Sequence, residues 1–175
     1  HFLEMRDQLR SLRNHGEDVA TRFKYHALAT NCRMEEIQAL VLLIKHSYLP
    51  EWNKKRFQIA EWYRALLTDV EGISLQQVPG HHFYHALVIR SPQRDALATF
   101  LGQHGIDTAV RYPLALHEQP ALAPYIKAKK GEFKNAELWA RQGLCLPIHP
   151  FLTQSQVEYV ANCIYKFLVK GGKSA

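Results

Sequence analysis

The stretch from Met34 to Tyr48 constrains the fold more than any other part of this chain. Its apolar residues Ile37, Val41, Ile44 and Tyr48 recur at helical spacing, and Ala39, Leu40 and Leu43 widen the stripe until the helix is almost apolar all round. A helix of that kind requires burial on several sides. Leu49-Pro50 predicts a break, because proline disfavours helix at the residue before it. A second helix is expected from about Glu51 to Leu67, with Trp52, Phe57, Ala60, Tyr63 and Leu67 facing inward and Lys54, Lys55 and Arg64 outward.

After Thr68 the period changes from helix to strand. Ile73, Leu75 and Gln77 alternate with polar neighbours, and Phe83 to Arg90 is rich in strand formers. Ser91-Pro92 then predicts a helix start, with Ala96, Leu97, Phe100 and Leu101 as its buried face and Gly105 closing it. Ile106 to Val110 reads as a second strand, a short helix is expected around Gln119 to Lys129, and Lys129-Lys130-Gly131 reads as a turn. A helix from Asn135 to Gln142 leads to a brief buried strand, Leu144 to Leu146, stopped by Pro147. The last helix opens on a capping box, Thr153 with Gln156, and buries Val157, Val160, Ala161, Ile164 and Leu168, before a frayed end at Lys170 to Ala175. Upstream of everything, Phe2, Met5, Leu9 and Leu12 define an amphipathic helix that stops at Asn14-His15-Gly16. This order of elements describes a small α+β layer structure preceded by helices.

The segment Ala29 to Ala39 places a polar turn directly before the long helix, and Asn31 and Arg33 are its chemically telling residues. A helix start carries unpaired N–H groups and the positive end of the dipole, so an amide and a guanidinium beside it suit an anion. The plainer role for Asn31 is that of an N-cap. The irregular segment 17 to 32, which contains Phe23, Tyr25 and His26, is long enough to point to a functional loop. Further on, Arg111, Tyr112 and His117 fall at a strand end and in the loop after it, a usual place for binding groups on a rigid scaffold.

Composition narrows the function classes. Hydrophobic residues make up 47% and charged residues 22%, so the chain reads as an ordered, soluble protein. Its longest apolar run is far shorter than a membrane span, and it opens on no signal-peptide pattern. The net charge of +6 is spread along the sequence, which argues against nucleic acid and for a few positioned cations. Cys32, Cys145 and Cys163 are odd in number and lack metal spacing, so buried, inert thiols in a reducing cytoplasm are expected. Of His81, His82 and His85, alternation puts 81 and 85 on one strand face, but no third ligand has a recognisable spacing, so a zinc site is not expected.

Several pieces together resemble one family. Asn31-Cys32-Arg33-Met34 with Gln38-Ala39, Leu12-Arg13-Asn14-His15-Gly16, Gly105-Ile106-Asp107-Thr108, Tyr112-Pro113 with His117 and Gln119-Pro120, Ala136-Glu137, and Leu146-Pro147-Ile148-His149-Pro150 occur in the order found in the DegT/DnrJ/EryC1/StrS family. These are pyridoxal 5'-phosphate (PLP) aminotransferases acting on nucleotide-linked keto sugars. The resemblance covers nearly the whole chain. One departure is Ala29, which stands where the family pattern has glycine.

The resemblance implies an α/β protein of the PLP-dependent transferase fold type I, with this chain as its C-terminal portion: helices from the large domain followed by a small α+β domain. It divides the chain into residues 1–50, the end of the large PLP-binding domain, 51–68, a connecting helix, and 69–175, the small domain. It also implies a cytoplasmic homodimer with active sites shared between subunits, glutamate as amino donor and a nucleotide-diphosphate keto sugar as acceptor. Asn31 and Arg33 would hold the PLP phosphate of the neighbouring subunit, while Arg111, Tyr112, His117, Tyr25 and His26 would line the substrate site. None of the lysines has the Ser-x-Lys or Thr-x-Lys context of the family's Schiff-base lysine, so that residue is expected upstream of residue 1 and the chain alone is expected to be inactive. The same fold also serves PLP-dependent sugar dehydratases. A non-catalytic α+β dimerisation or regulatory module is the alternative from another class.

Overall fold

The computed structural model describes residues 2–18, 21–76, 82–129 and 131–171. The chain forms two compact units, His1–Leu49 and Pro50–Ala175. Each is built around different local chemistry.

In the first unit, α1 (Phe2–Leu12) ends at a turn that the following segment closes. His15 and Gly16 take positive φ of 61° and 77°, and a Cβ on Gly16 would stand 2.0 Å from the Ala27 carbonyl oxygen, so only glycine fits there. The turn is zipped by backbone bonds: Gly16 N–H to Ser11, His26 N–H to Gly16 and Cys32 N–H to Arg13, at 2.8–2.9 Å. Asn14 bridges Asn31, and Glu17 bridges Tyr25. Ala29 is not among the residues with positive φ, so alanine is accommodated without left-handed backbone. Within this unit α1 has no buried residue, and Phe2, Ile37 and Leu43 are more than two-thirds exposed.

The helix expected to stop at Leu49 does not. A single helix, α2, runs over Glu36–Leu67 with Pro50 inside it. Proline lacks the N–H that would reach the His46 carbonyl, a loss of one bond, and the helix-forming residues on both sides continue through it.

In the second unit, the sheet comprises β1 (Ser74–Leu75), β2 (Leu87–Arg90) and β3 (Gly143–Leu146) in the order β1-β2-β3, all antiparallel. Its register pairs Leu87 with Leu146 and Ile89 with Leu144 on one face. These four join Ile59, Tyr63 and Leu67 of α2, Leu97 and Leu101 of α3 (Arg94–Gln103), and Val157 and Ile164 of α5 (Gln154–Gly171) in one core. The opposite face carries the pairs Val88–Cys145 and Arg90–Gly143 and is covered by α4 (Lys134–Gln142). The sheet therefore has a helix layer on each side, and period-two alternation assigns β2 side chains to one layer or the other.

Helix ends follow the expected chemistry where side chains or backbone supply the bonds. The Thr153 hydroxyl accepts from Gln156 N–H while the Gln156 side-chain oxygen accepts from Thr153 N–H, the reciprocal box that the sequence predicts. At the end of α3, Ile106 N–H bonds Leu101 and Gly105 N–H bonds Gly102, a Schellman closure. Its start differs from expectation. Ser91 makes a turn, accepting from Gln93 N–H through its hydroxyl and from Arg94 N–H through its carbonyl, and the helix begins at Arg94.

Three further expectations change. The strand expected over 83–90 is confined to Leu87–Arg90, because Tyr84 has a φ of 43° and buries its ring with its hydroxyl accepting from Arg64 at 2.8 Å. Residues 106–110 do not form a strand; Ala109 makes a single bridge to Cys145, already paired with Val88 on its other edge. The helix expected over 119–129 is replaced by 3₁₀ turns at Leu116–Glu118 and Pro120–Leu122, in a segment whose Pro120 and Pro124 deny the N–H groups an α-helix needs. Among the thiols, Cys145 and Cys163 are buried but Cys32 is exposed. Gln77, His81, Lys130 and residues 172–175 lie outside the described residues.

Candidate functional site

The residues singled out in the sequence fall into two groups, one in each unit. In the first unit, Asn31 and Arg33 are brought together. The Asn31 side-chain oxygen accepts from Arg33 N–H at 3.3 Å and from Arg33 Nε at 2.9 Å, and its Nδ2 donates to Glu35 at 3.1 Å. Asn31 is therefore no N-cap. The first turn is capped instead by Gln38, whose side-chain oxygen accepts from Glu35 N–H.

Arg33 borders a polar cleft of about 420 Å³ with Arg10, Arg13 and Arg22, against which stand only Glu17 and Asp18. Both acids are engaged: Glu17 accepts from Phe23 N–H, and Asp18 from Thr21 N–H and the His26 ring at 3.1 Å. An excess of guanidinium forks over carboxylates is the donor set for a phosphate. His26 is thus tied to Asp18, and Tyr25 is exposed beside it on the bridge to Glu17.

In the second unit, a cavity of about 740 Å³ opens on the sheet face away from the core. Its floor is Val88, Gly143 and Cys145, one wall is Ala136, Trp139 and Ala140 of α4, and the other is the loop carrying Arg111, Tyr112 and Leu114 to Gln119. Gly143 is required at the floor, since a Cβ there would come within 2.6 Å of the Trp139 carbonyl oxygen. Arg90 lies over the Trp139 ring, 5.4 Å from its centre, and sets the indole against the cavity. Burial raises the Cys145 thiol above its ordinary range, and the nearby Arg111 guanidinium pulls the other way.

Arg111 and Tyr112 line this cavity, although the strand expected to carry them is reduced to one bridge. His117 does not border it. Its Nε2 lies 3.4 Å from a carboxylate oxygen of Glu137, its ring packs on Phe133 at 4.8 Å, and its side chain is only 11% exposed. Glu137 is 3% exposed and also accepts from Gly131 N–H at 2.8 Å. That backbone donor, followed by His117 and Arg141, holds the carboxyl below its usual range despite burial.

Sequence reasoning passes over Trp139, Cys145, Arg13 and Arg22 as site residues. The spacing of Ala136, Trp139 and Ala140 on one helix face, and the positions of Val88 and Cys145 alternate to core residues, are the signals that mark the cavity. Among the described residues there is no cluster of three or more His, Cys, Asp or Glu able to hold a metal, and no helix long and apolar enough to cross a membrane.

Residues 3–165 match the DegT/DnrJ/EryC1/StrS aminotransferase family. A pleiotropic regulatory protein of Geobacillus stearothermophilus is 36% identical over 94% of the chain. The dTDP-3-amino-3,4,6-trideoxy-alpha-D-glucose transaminase of Streptomyces venezuelae is 34% identical over 92% of it. The chain spans 44% and 42% of the lengths of these two proteins. The solved structure of S. venezuelae DesV in complex with a ketimine intermediate superposes with a TM-score of 0.76 at 34% identity, covering 94% of this chain and 44% of that one. A family aminotransferase from Brucella abortus gives 0.74 at 29% identity, covering 94% and 43%. The fold is thus that of a C-terminal part of these enzymes, helices followed by a small α+β domain, and the chain belongs to the DegT/DnrJ/EryC1/StrS aminotransferase family.

Proposed function

We propose that the complete protein is a PLP-dependent aminotransferase that moves the amino group of glutamate onto the keto carbon of a nucleotide-diphosphate sugar, releasing 2-oxoglutarate. The observation that carries this reading is 34% identity, over nearly the whole chain, to a transaminase named for a dTDP-amino sugar. A relative named as a UDP-N-acetyl-3-dehydro-alpha-D-glucosamine 3-aminotransferase, from Acidithiobacillus ferrooxidans and 32% identical over 94% of the chain, supports the same substrate class.

PLP, when bound, supplies the electron sink that lets an amino group leave one carbon and join another. The arginine-rich cleft beside Asn31 fits its phosphate by the chemistry of its donors. In this reading Asn31 and Arg33 hold the phosphate of a neighbouring subunit, within a homodimer whose active sites draw on both chains. Tyr25 and His26 border the sugar. Residues 1–50 belong to the large domain, 51–68 connect, and 69–175 form the small domain; the Schiff-base lysine belongs to the rest of the protein, so this chain alone does not turn over substrate.

Arg111 and Tyr112 are the groups this reading assigns to the nucleotide sugar. A guanidinium pairs bidentately with a diphosphate, and an exposed tyrosine ring offers a stacking surface. The test is steady-state transamination by the complete protein with PLP, glutamate and dTDP- or UDP-linked keto sugars. Equal amounts of 2-oxoglutarate and amino sugar are expected, and Arg111→Ala is expected to raise the KM for the sugar by about tenfold, the factor of one lost charged hydrogen bond, with little change for glutamate. No amino sugar with any such substrate would remove the reading, and an equal effect on both substrates would remove Arg111 from the sugar site.

A further inference from the structure

Glu137 presents a buried charge that the proposed chemistry does not use. It sits on α4 with 3% exposure, one residue from Ala136 of the cavity wall, and its carboxylate faces the loop rather than the cavity. One oxygen, Oε1, receives both Gly131 N–H at 2.8 Å and His117 Nε2 at 3.4 Å; the other lies 3.6 Å from Arg141 one turn along the helix. Burying a carboxylate is costly unless its oxygens are partnered, and here one oxygen takes both its donors from the same loop.

That loop needs an anchor. Its described residues between Tyr112 and Phe133 form only short 3₁₀ turns and turns, and Tyr112, Leu116 and Tyr125 are each more than 70% exposed. Among its described residues, Ala115 is the one buried apolar side chain. Apolar packing therefore contributes little to fixing its path. Yet Leu114, Ala115, Leu116 and Gln119 form much of one wall of the cavity. His117 lies between Leu116 and Gln119 of that wall and faces away from the cavity, Gly131 lies on the return limb, and the His117 ring and the Gly131 N–H both meet Glu137.

We propose that Glu137 is a positioning residue: its buried carboxylate clamps His117 and Gly131, and thereby fixes the loop that walls the cavity for the nucleotide part of the sugar substrate. His117 then serves by holding the wall, with Phe133 packed on its ring. The assignment of the cavity to a nucleotide sugar rests on the proposed aminotransferase function; the clamp itself does not.

The experiment uses the complete protein and compares Glu137→Ala and Glu137→Gln with the unaltered form, by hydrogen exchange and by steady-state kinetics. Glu137→Gln keeps an oxygen for Gly131 N–H and loses the charge, so it retains the fold even where alanine does not. Expected are faster exchange across residues 114–133 with β2 and α5 unchanged, a KM for the nucleotide sugar raised by about tenfold in the alanine variant and less in the glutamine one, and kcat and the glutamate KM within about twofold. Unchanged exchange in the loop would overturn the clamp. Faster exchange everywhere, with kcat and both KM values altered alike, would reduce Glu137 to a general stability residue and also overturn the proposal. Should the unaltered protein aminate no keto sugar, the aminotransferase function fails, and local loop exchange in the two variants still decides the clamp.

Discussion

At the scale of single residues, the proposed function makes the polar turn before α2 a pre-assembled anion corner. The Asn31 oxygen is occupied by Arg33, so the amide orients the guanidinium while its Nδ2 donates to Glu35. Removing it frees Arg33 and leaves the cleft with charge but less geometry. Asn31→Ala in the complete protein is expected to weaken PLP retention by about tenfold, measured as the dissociation constant from a spectral titration; unchanged affinity would separate Asn31 from the cofactor. The Asn-x-Arg spacing is legible in the sequence itself, since both residues act within their own turn. Glu137 stands out there only as part of a motif. Its partners lie on a loop whose course depends on tertiary contacts, and no local pattern connects a glutamate to His117. The same limit hides Arg13 and Arg22, which join Arg33 around one cleft only after the turn at Gly16 folds back.

At the scale of elements, periodicity is a good guide wherever an element buries one face. Spacing alone identifies the last helix, its capping box and its buried positions Val157, Val160, Ala161 and Ile164, while Leu168, expected with them, is only partly buried. It misleads at 106–110 and 119–129, where composition suits a regular element but the available partners do not: one bridge at Ala109 in the first, and two prolines in the second. Pro50 fails in the opposite direction, as a breaker overruled by the helix around it. Replacing it restores one N–H for the His46 carbonyl. Pro50→Ala is expected to stabilise the protein by about 1 kcal/mol or more, a rise in Tm of about 2–4 °C by thermal denaturation. A lower Tm would mean that Pro50 is selected for the helix geometry it imposes.

At the scale of the whole molecule, the two units differ in how fully they satisfy themselves. The second has a closed core on one sheet face and a walled cavity on the other. The first leaves Phe2, Leu28, Ile37 and Leu43 largely exposed, an apolar surface consistent with the proposed place of this segment in a large domain and a dimer. The chain accounts for 42–44% of the length of the relatives described above, so the proposed chemistry is a property of the complete protein. The most direct measurement is the visible absorbance of PLP bound to that protein through two successive additions. Glutamate is expected to bleach the cofactor band as the amino group passes to it, and a nucleotide-linked keto sugar is then expected to restore the band as the amino group passes on. A band that glutamate leaves unchanged, or that no such sugar restores after bleaching, would contradict a sugar aminotransferase.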